Sequence, residues 1–370
     1  MLELLPEAVR TPIAFVLVLG VLVFVHEMGH YLAARWAGVH AEVFSVGFGK
    51  AIWQRTDSVG TVWKICWLPL GGYVKMHGQE RPEDVSEEER AAWDTSRTFH
   101  HKSLGRRAVV VAAGPIANFL LAIVLFAGLF LIAGKPTVEP IVGGVVAESA
   151  ADRAGLRVGD RILAIDATPV TSFEDIKRIV APRPGQDIDV RISREGTEQS
   201  LRMTLGGQRK AAKAVGLMGI SGNKAMFVPQ SPLESLVGGV SQSWRIGEET
   251  LSAVWQMLAG QRGASDLGGP LRIAQLSGEM AQYGVASLIS FIAVISVNLG
   301  LINLFPIPVL DGGHLVFYLL EAIRGRPLPP VAVEYCFRAG VAVLVCLFVF
   351  ATFNEVSHFG WFNWVAKLIG

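Results

Sequence analysis

The sequence predicts an α-helical membrane protein. Four transmembrane helices carry a membrane-associated β-hairpin and one compact α/β module outside the cytoplasm. Three observations predict this. Of 370 residues, 51% are hydrophobic and only 18% charged, whereas soluble domains are nearer a quarter charged. Four apolar stretches are long enough to cross about 30 Å of hydrocarbon. Between the second and third of them lies a segment with the alternating strands and turns of a soluble fold.

The first span runs from about Thr11 to Ala34, and Thr11 to Val25 carries no charge. The second, Ala108 to Gly134, is also uncharged, as is the third, Met280 to Leu310. The fourth, about Val331 to Phe353, tolerates Glu334 and Arg338, an i, i+4 pair of opposite sign. Trp361 and Trp364 then read as interfacial anchors. The N-terminus does not read as a secretory signal: Glu3 and Glu7 oppose one Arg10, and no small-residue cleavage site closes the apolar run. Lys102, Arg106, Arg107, Arg324 and Arg326 mark two basic loops, which the positive-inside rule places in the cytoplasm with both termini outside. The expected divisions are 1–35, 36–106, 107–134, 135–207, 208–279, 280–314 and 315–370.

The pieces between spans differ in character. From about Val43 to Met76 the sequence reads as a β-hairpin with a turn at Asp57 to Gly60, and Trp63, Ile65 and Trp67 alternate onto one apolar face. Glu80 to Asp94 is acidic and reads as a solvated loop or short helix. From about Thr137 to Gly206 strands surround a helix that Ser172-Phe173-Glu174-Asp175 opens. Gly207 to Pro232 reads as a linker. Val240, Trp244, Leu251, Val254, Trp255 and Leu258 form one stripe of an amphipathic helix, expected to lie against the third span or the membrane surface.

His26-Glu27-Met28-Gly29-His30 follows the first apolar run without a break. Ligating or charged residues at membrane depth are expensive and mark function. Spacing i, i+4 puts His26 and His30 on one helix face, able to hold one Zn²⁺ per chain, with Glu27 beside them as a general base. A hydrolytic zinc site needs a third protein ligand. Asp311 is the best candidate, with His314 the alternative. Asp311 ends the third span in Asn303-Leu304-Phe305-Pro306-Ile307-Pro308-Val309-Leu310-Asp311-Gly312-Gly313-His314. Pro306 and Pro308 cannot sit in a regular helix, and open backbone at membrane depth must line a cavity or be buried in protein. Asn118 in the second span is placed to face the site, with small Gly114 and Ala117 allowing close helix approach. An interhelical hydrogen bond is the plainer role for it. The strand Thr61 to Trp67 and the edge at Gly71 and Gly72 are candidates to pair with an extended substrate.

These motifs together resemble the site-2 protease family. They are His26 to His30, Gly71-Gly72-Tyr73-Val74-Lys75-Met76, Ala113-Gly114-Pro115-Ile116-Ala117-Asn118 and the stretch Asn303 to Gly312. Their order is that of the bacterial RseP-type branch. The resemblance implies a PDZ-like fold for the outer module, zinc held by His26, His30 and Asp311, water activated by Glu27, and substrate contacted by Asn303. It implies single-span membrane proteins as substrates, cut within the bilayer after a first extracytoplasmic cut, as in regulated proteolysis of an anti-sigma factor. It also implies a bacterial inner membrane and an active site toward its cytoplasmic half. Familiar members of that branch carry two tandem PDZ modules; Lys135 to about Gly206 has room for one.

Other classes are less well served. A transport protein needs several ligand sets along a path, and one set is visible. A non-catalytic PDZ scaffold would not need Glu27. A non-haem iron oxygenase also uses two His and a carboxylate, but nothing suggests a cosubstrate site. A net charge of +1 gives no basis for binding nucleic acid, and no organic cofactor is implied. Cys66, Cys336 and Cys346 are too scattered for a disulfide framework.

Overall fold

The computed structural model describes residues 2–79, 87, 93–210, 213–222, 224–261 and 269–358. Most of the acidic stretch 80–94, and both Trp361 and Trp364, lie outside the described residues. The chain forms two compact units: Met1–Leu129 with Leu236–Gly370, and Phe130–Ser235.

In the first unit, among the described residues, four helices are long and apolar enough to cross a membrane. They are α1 (Glu7–Trp36), α2 (Leu104–Ala133), a third at Val285–Asn303 and a fourth within Pro330–His358. α1 buries Ala14, Val18 and Leu22 at helical spacing. At its start the buried Arg10 donates to the Gly278 carbonyl (3.0 Å) and to Gln282 Oε1 (3.1 Å). That contact belongs to a helix at Pro270–Gln282, which straddles the division expected at 279.

The third span is shorter than the uncharged run suggests. Its first residues do not continue from 280, because Gly284 adopts φ +103° and breaks the chain into two helices. It stops at Asn303, and 304–310 run as irregular turns ahead of a helix at Asp311–Arg324, as Pro306 and Pro308 dictate.

The helix at Pro232–Leu258 turns its apolar stripe away from the protein and packs by its other face. Trp244 is 71% and Trp255 70% exposed, while Ser243 and Ile246 are buried. A Cβ on Gly239 would come 2.6 Å from the Ile123 carbonyl oxygen of α2, and Thr250 donates to Asn298 Oδ1 at 2.7 Å.

The hairpin strands β1 (Ala41–Thr56) and β2 (Val62–Met76) are long and fold over themselves. Residues 43–46 have a neighbour on each side: Val43 pairs with both Lys75 and Val62. Residues 62–65 in turn pair with 43–46 and also with 53–56. The expected edge at Thr61 to Trp67 is therefore an interior strand, its backbone used on both sides. The segment 72–76 pairs with 41–46 alone and supplies the edge instead. Trp67 (77%), Ile52 (65%) and Trp53 (49%) are exposed on the distal part, as a membrane-associated hairpin requires.

The second unit is built on an antiparallel sheet of β5 (Arg161–Ile165), β6 (Thr168–Pro169), β7 (Asp187–Arg194) and β8 (Thr197–Thr204), in the order β6-β5-β7-β8. Before it come β3 (Lys135–Val138), β4 (Val142–Val145) and the short helix α3 (Ala150–Arg153). Helix α4 (Phe173–Val180) starts with a capping box between Ser172 and Asp175 and buries Phe173, Ile176 and Val180 onto Ile188, Val190 and Ile192. The linker expected at 207–232 is instead the module's closing part. β9 (Gly206–Lys210) pairs with β10 (Lys213–Leu217), β11 (Ile220–Gly222) pairs with β4, and β12 (Ala225–Val228) pairs with β3. The module boundary at 207 therefore moves to Ser235. The remaining helices are α5 (Pro232–Leu258), α6 (Pro270–Gln282), α7 (Val285–Asn303), α8 (Asp311–Arg324) and α9 (Pro330–His358).

One buried ion pair fastens this module. Asp160, 1% exposed, accepts from Arg194 Nε and Nη2 and from the Arg157 N–H, each at 2.8 Å. Burial alone would raise its carboxyl, but the Arg194 and Arg157 donors hold it below the ordinary carboxylate value. Asparagine at 160 keeps the shape but loses the charge that accepts from Arg194 and the Arg157 N–H. Asp160→Asn should therefore raise amide exchange across 130–235 and leave the first unit's protection intact. The contribution is present above the unfolded-state carboxylate pKa and is lost as pH falls through the depressed folded one. In acid the variant and the parent should converge, which exchange measured at descending pH reads directly.

Candidate metal centre

His26, Glu27 and His30 lie on the last turns of α1, where one helix face meets α2. The meeting is close because two glycines permit it. A Cβ on Gly29 would overlap the Ala113 carbonyl oxygen, and one on Gly114 would overlap His30 Nε2 and come 2.9 Å from His26 Cε1. Asp311 enters from α8, at its first position. Gly312 and Gly313 let that turn sit on the carbonyls of Leu304, Phe305 and Ile307, which brings the open stretch back under the two histidines.

The ligand atoms fit a metal. His26 Nε2 and His30 Nε2 are 3.2 Å apart, and Asp311 Oδ2 is 3.3 Å from the first and 3.5 Å from the second. Ligand-to-ligand edges of about 3.3 Å are those of a tetrahedron with bonds of about 2.0 Å. Among the described residues no other group of His, Cys, Asp and Glu gathers this way. His314, the alternative third ligand, stands outside the group and lines the adjoining cavity.

The second ring nitrogens settle the tautomers. His30 Nδ1 lies 2.9 Å from the Val110 carbonyl oxygen, which can only accept, so Nδ1 carries the proton and Nε2 keeps its lone pair. Asn118 is fully buried with its amide 3.1 Å from His26 Nδ1, and its Oδ1 has no hydrogen-bond partner. Turning that amide end for end presents Oδ1 to the Nδ1–H of His26 and removes the orphaned acceptor. Both histidines then offer Nε2 to the same point. Asn118, expected to face the site, stands behind His26 and takes the interhelical hydrogen-bonding role.

Glu27 is buried, with a hydrogen bond from the Val74 backbone on the free edge of β2. A Cβ on Gly72 would lie 3.0 Å from Glu27 Cγ, so that edge touches the acid directly. Gly71 does something else: at φ +108° it turns the strand beneath the Phe48 ring. A cavity of about 760 Å³ opens onto His26, Glu27, Asp311, Gly72 and Asn303, and continues along α8. Its lining also includes Arg107 and Glu321, residues with no motif to mark them in the sequence.

Comparison with known proteins agrees with this constellation. The profile described as "Peptidase family M50" matches residues 14–347. A Rhizobium meliloti (strain 1021) protein named as a zinc metalloprotease is 46% identical over 362 residues, 93% of this chain and 95% of that one. One of Rickettsia conorii (strain ATCC VR-613 / Malish 7), named likewise, is 38% identical over 357 residues, covering 94% and 98%. The "Regulator of sigma-E protease RseP" of Escherichia coli (strain K12) is 33% identical over 448 aligned positions, covering 93% and 98%. That alignment exceeds this chain's length, so the relative carries segments absent here.

Gly114 is the sharpest test of the geometry. Gly114→Ala forces a methyl into the His30 ring and should abolish stoichiometric metal binding. Gly128→Ala on the same helix meets nothing within 4 Å and should leave it unchanged. Metal analysis of the two purified variants by mass spectrometry reads the difference, and equal metal content in both would contradict it.

Proposed function

Because the chain belongs to peptidase family M50, the site-2 proteases, we propose that it is an intramembrane zinc metalloprotease cleaving single-span membrane proteins. One Zn²⁺ per chain is held by His26, His30 and Asp311. The observation that carries this is the triangle of ligand atoms 3.2 to 3.5 Å on a side, with Glu27 beside it on a helix that crosses the membrane. When bound, zinc supplies Lewis acidity toward the scissile carbonyl.

Glu27 takes the proton of the attacking water and passes it to the leaving amide nitrogen. The Val74 backbone hydrogen bond keeps its carboxylate oriented. Helical substrate hides its carbonyls in intrahelical bonds, so it must be extended to be cut. The free edge 72–76 is the backbone surface suited to hold it by strand addition. Asn303, at the end of α7 and on the cavity wall, is placed to bind the extended chain from the other side.

Positive-inside placement of the basic loops puts both termini and the module at 130–235 outside, and the metal centre toward the cytoplasmic half. The module's antiparallel sheet with two capped helices suits a PDZ-like fold. We assign it the role of a gate against substrates that still carry a bulky outer domain. Membership of the bacterial branch points to the inner membrane and to regulated proteolysis, an anti-sigma factor being one such substrate class.

Two variants divide the site's work. Asp311→Ala should lose most bound zinc and, with it, cleavage. Glu27→Gln keeps shape without the base, so it should retain zinc while turnover falls by about 10² or more. Zinc content beside cleavage of a trimmed single-span substrate, in detergent or vesicles, reads both. Near-normal turnover by Glu27→Gln would remove Glu27 from the chemistry.

The gate has its own test. β3 and β12 pair, Lys135 with Val228, so replacing 136–227 by a short Gly-Ser link joins adjacent points. The excised protein should keep its zinc and cleave an intact, untrimmed substrate that the full chain spares. Failure to cleave even a trimmed substrate, with zinc retained, would make the module part of catalysis.

A further inference from the structure

α2 presents residues 107, 110, 114 and 118 on one helical face, and that face touches both histidines of the metal centre. Val110 and Asn118 hold the outer nitrogens of His30 and His26, and Gly114 lies under both rings. Arg107 faces α8. Its Nη2 donates to Glu321 Oε1 at 2.8 Å, with the two side chains 13% and 21% exposed. Its guanidinium carbon lies 5.0 Å from the Tyr318 ring centroid. Its Nε is buried without a partner among the described residues. A half-made set of bonds around a buried guanidinium is costly and calls for a reason to keep the charge there.

The reason lies at the other end of α8. Asp311 is the first residue of that helix and Glu321 is near its last turn. The stretch 304–310 before it is irregular, so α7 does not fix α8 through continuous helix. Gly312 and Gly313 seat the start of α8 on that loop, and the Arg107 ion pair ties the other end to the helix that orients both histidines. We propose that Arg107 is a positioning residue: through Glu321 it sets α8 against α2, and so sets the reach of Asp311 to His26 and His30. This rests on the zinc reading above.

The test measures zinc affinity by chelator competition on purified full-length protein, with the melting temperature of the metal-free protein alongside. Arg107→Ala and Glu321→Gln should each weaken zinc by 10- to 100-fold, the range for groups that orient ligands without touching metal. Melting of the metal-free forms should stay near the parent's. Arg107→Lys, a point charge without the planar fork, should fall between. The exchanged pair Arg107→Glu with Glu321→Arg should recover a substantial part of the affinity that either single change loses. Parental affinity in Arg107→Ala and Glu321→Gln would overturn the proposal, as would an exchanged pair no better than the singles. Should Arg107→Ala fail to fold, Glu321→Gln and the exchanged pair decide it alone. Asp311→Ala separates the two readings. If it too binds zinc as the parent does, the ligand assignment fails; if it is weakened while the Arg107 and Glu321 variants are not, only the positioning role fails.

Discussion

Everything in the first unit depends on how closely α1 and α2 approach. Hydrocarbon gives two helices no hydrophobic reason to associate, so contact must come from backbone proximity and polar bonds. Gly29 and Gly114 supply the proximity: each leaves room that a single methyl would fill. Only at that distance can the Val110 carbonyl reach His30 and the Asn118 amide reach His26. The same logic recurs at Gly300 of α7, where a Cβ would come 3.0 Å from the Pro115 carbonyl oxygen, while Ser296 donates to the Asn118 carbonyl. α2 is thus clamped from two sides at the level of the metal centre. The small residues of the Ala113 to Asn118 stretch are a packing requirement of the chemistry.

The site gathers groups that would each be unfavourable alone. Two imidazoles and two carboxylates lie at membrane depth, and their cost is met by one another, by backbone donors and by the metal they are built to hold. The open loop 304–310 is tolerated because its carbonyls face Gly312 and Gly313 and the cavity, not lipid. Irregular backbone here is what allows a carboxylate to arrive from a different helix than the histidines. A continuous helix through 304–310 would carry Asp311 past them.

What the sequence discloses follows from how local each signal is. The gathering of His26, His30 and Asp311 was legible because ligand spacing and paired prolines are short-range patterns. Ser172 and Asp175 announced α4 in the same way. The strands at 206–228 were not legible, because β11 and β12 pair with β4 and β3 some eighty residues earlier, and Gly-rich segments with distant partners read as linkers. The hairpin's true edge was missed for a related reason. Alternation at Trp63, Ile65 and Trp67 shows a strand, but which flank stays unpaired depends on β1 folding beside it twice. The stripe on α5 read as a contact with the third span or the membrane surface, and periodicity alone does not say which; the helix meets α7 through Thr250 while Trp244 and Trp255 stay exposed.

Arg107 and Glu321 show a further limit of motif reading. Near the second span, an arginine is most simply counted toward the positive-inside bias, and in the sequence Arg107 is indistinguishable from Arg106. The structure separates them by burial: Arg106 shares the basic loop's role, whereas Arg107 turns inward to a partner 214 residues away. The cavity is lined both by Glu27 and by the Arg107 and Glu321 pair, so one of its walls is the helix whose first residue is Asp311.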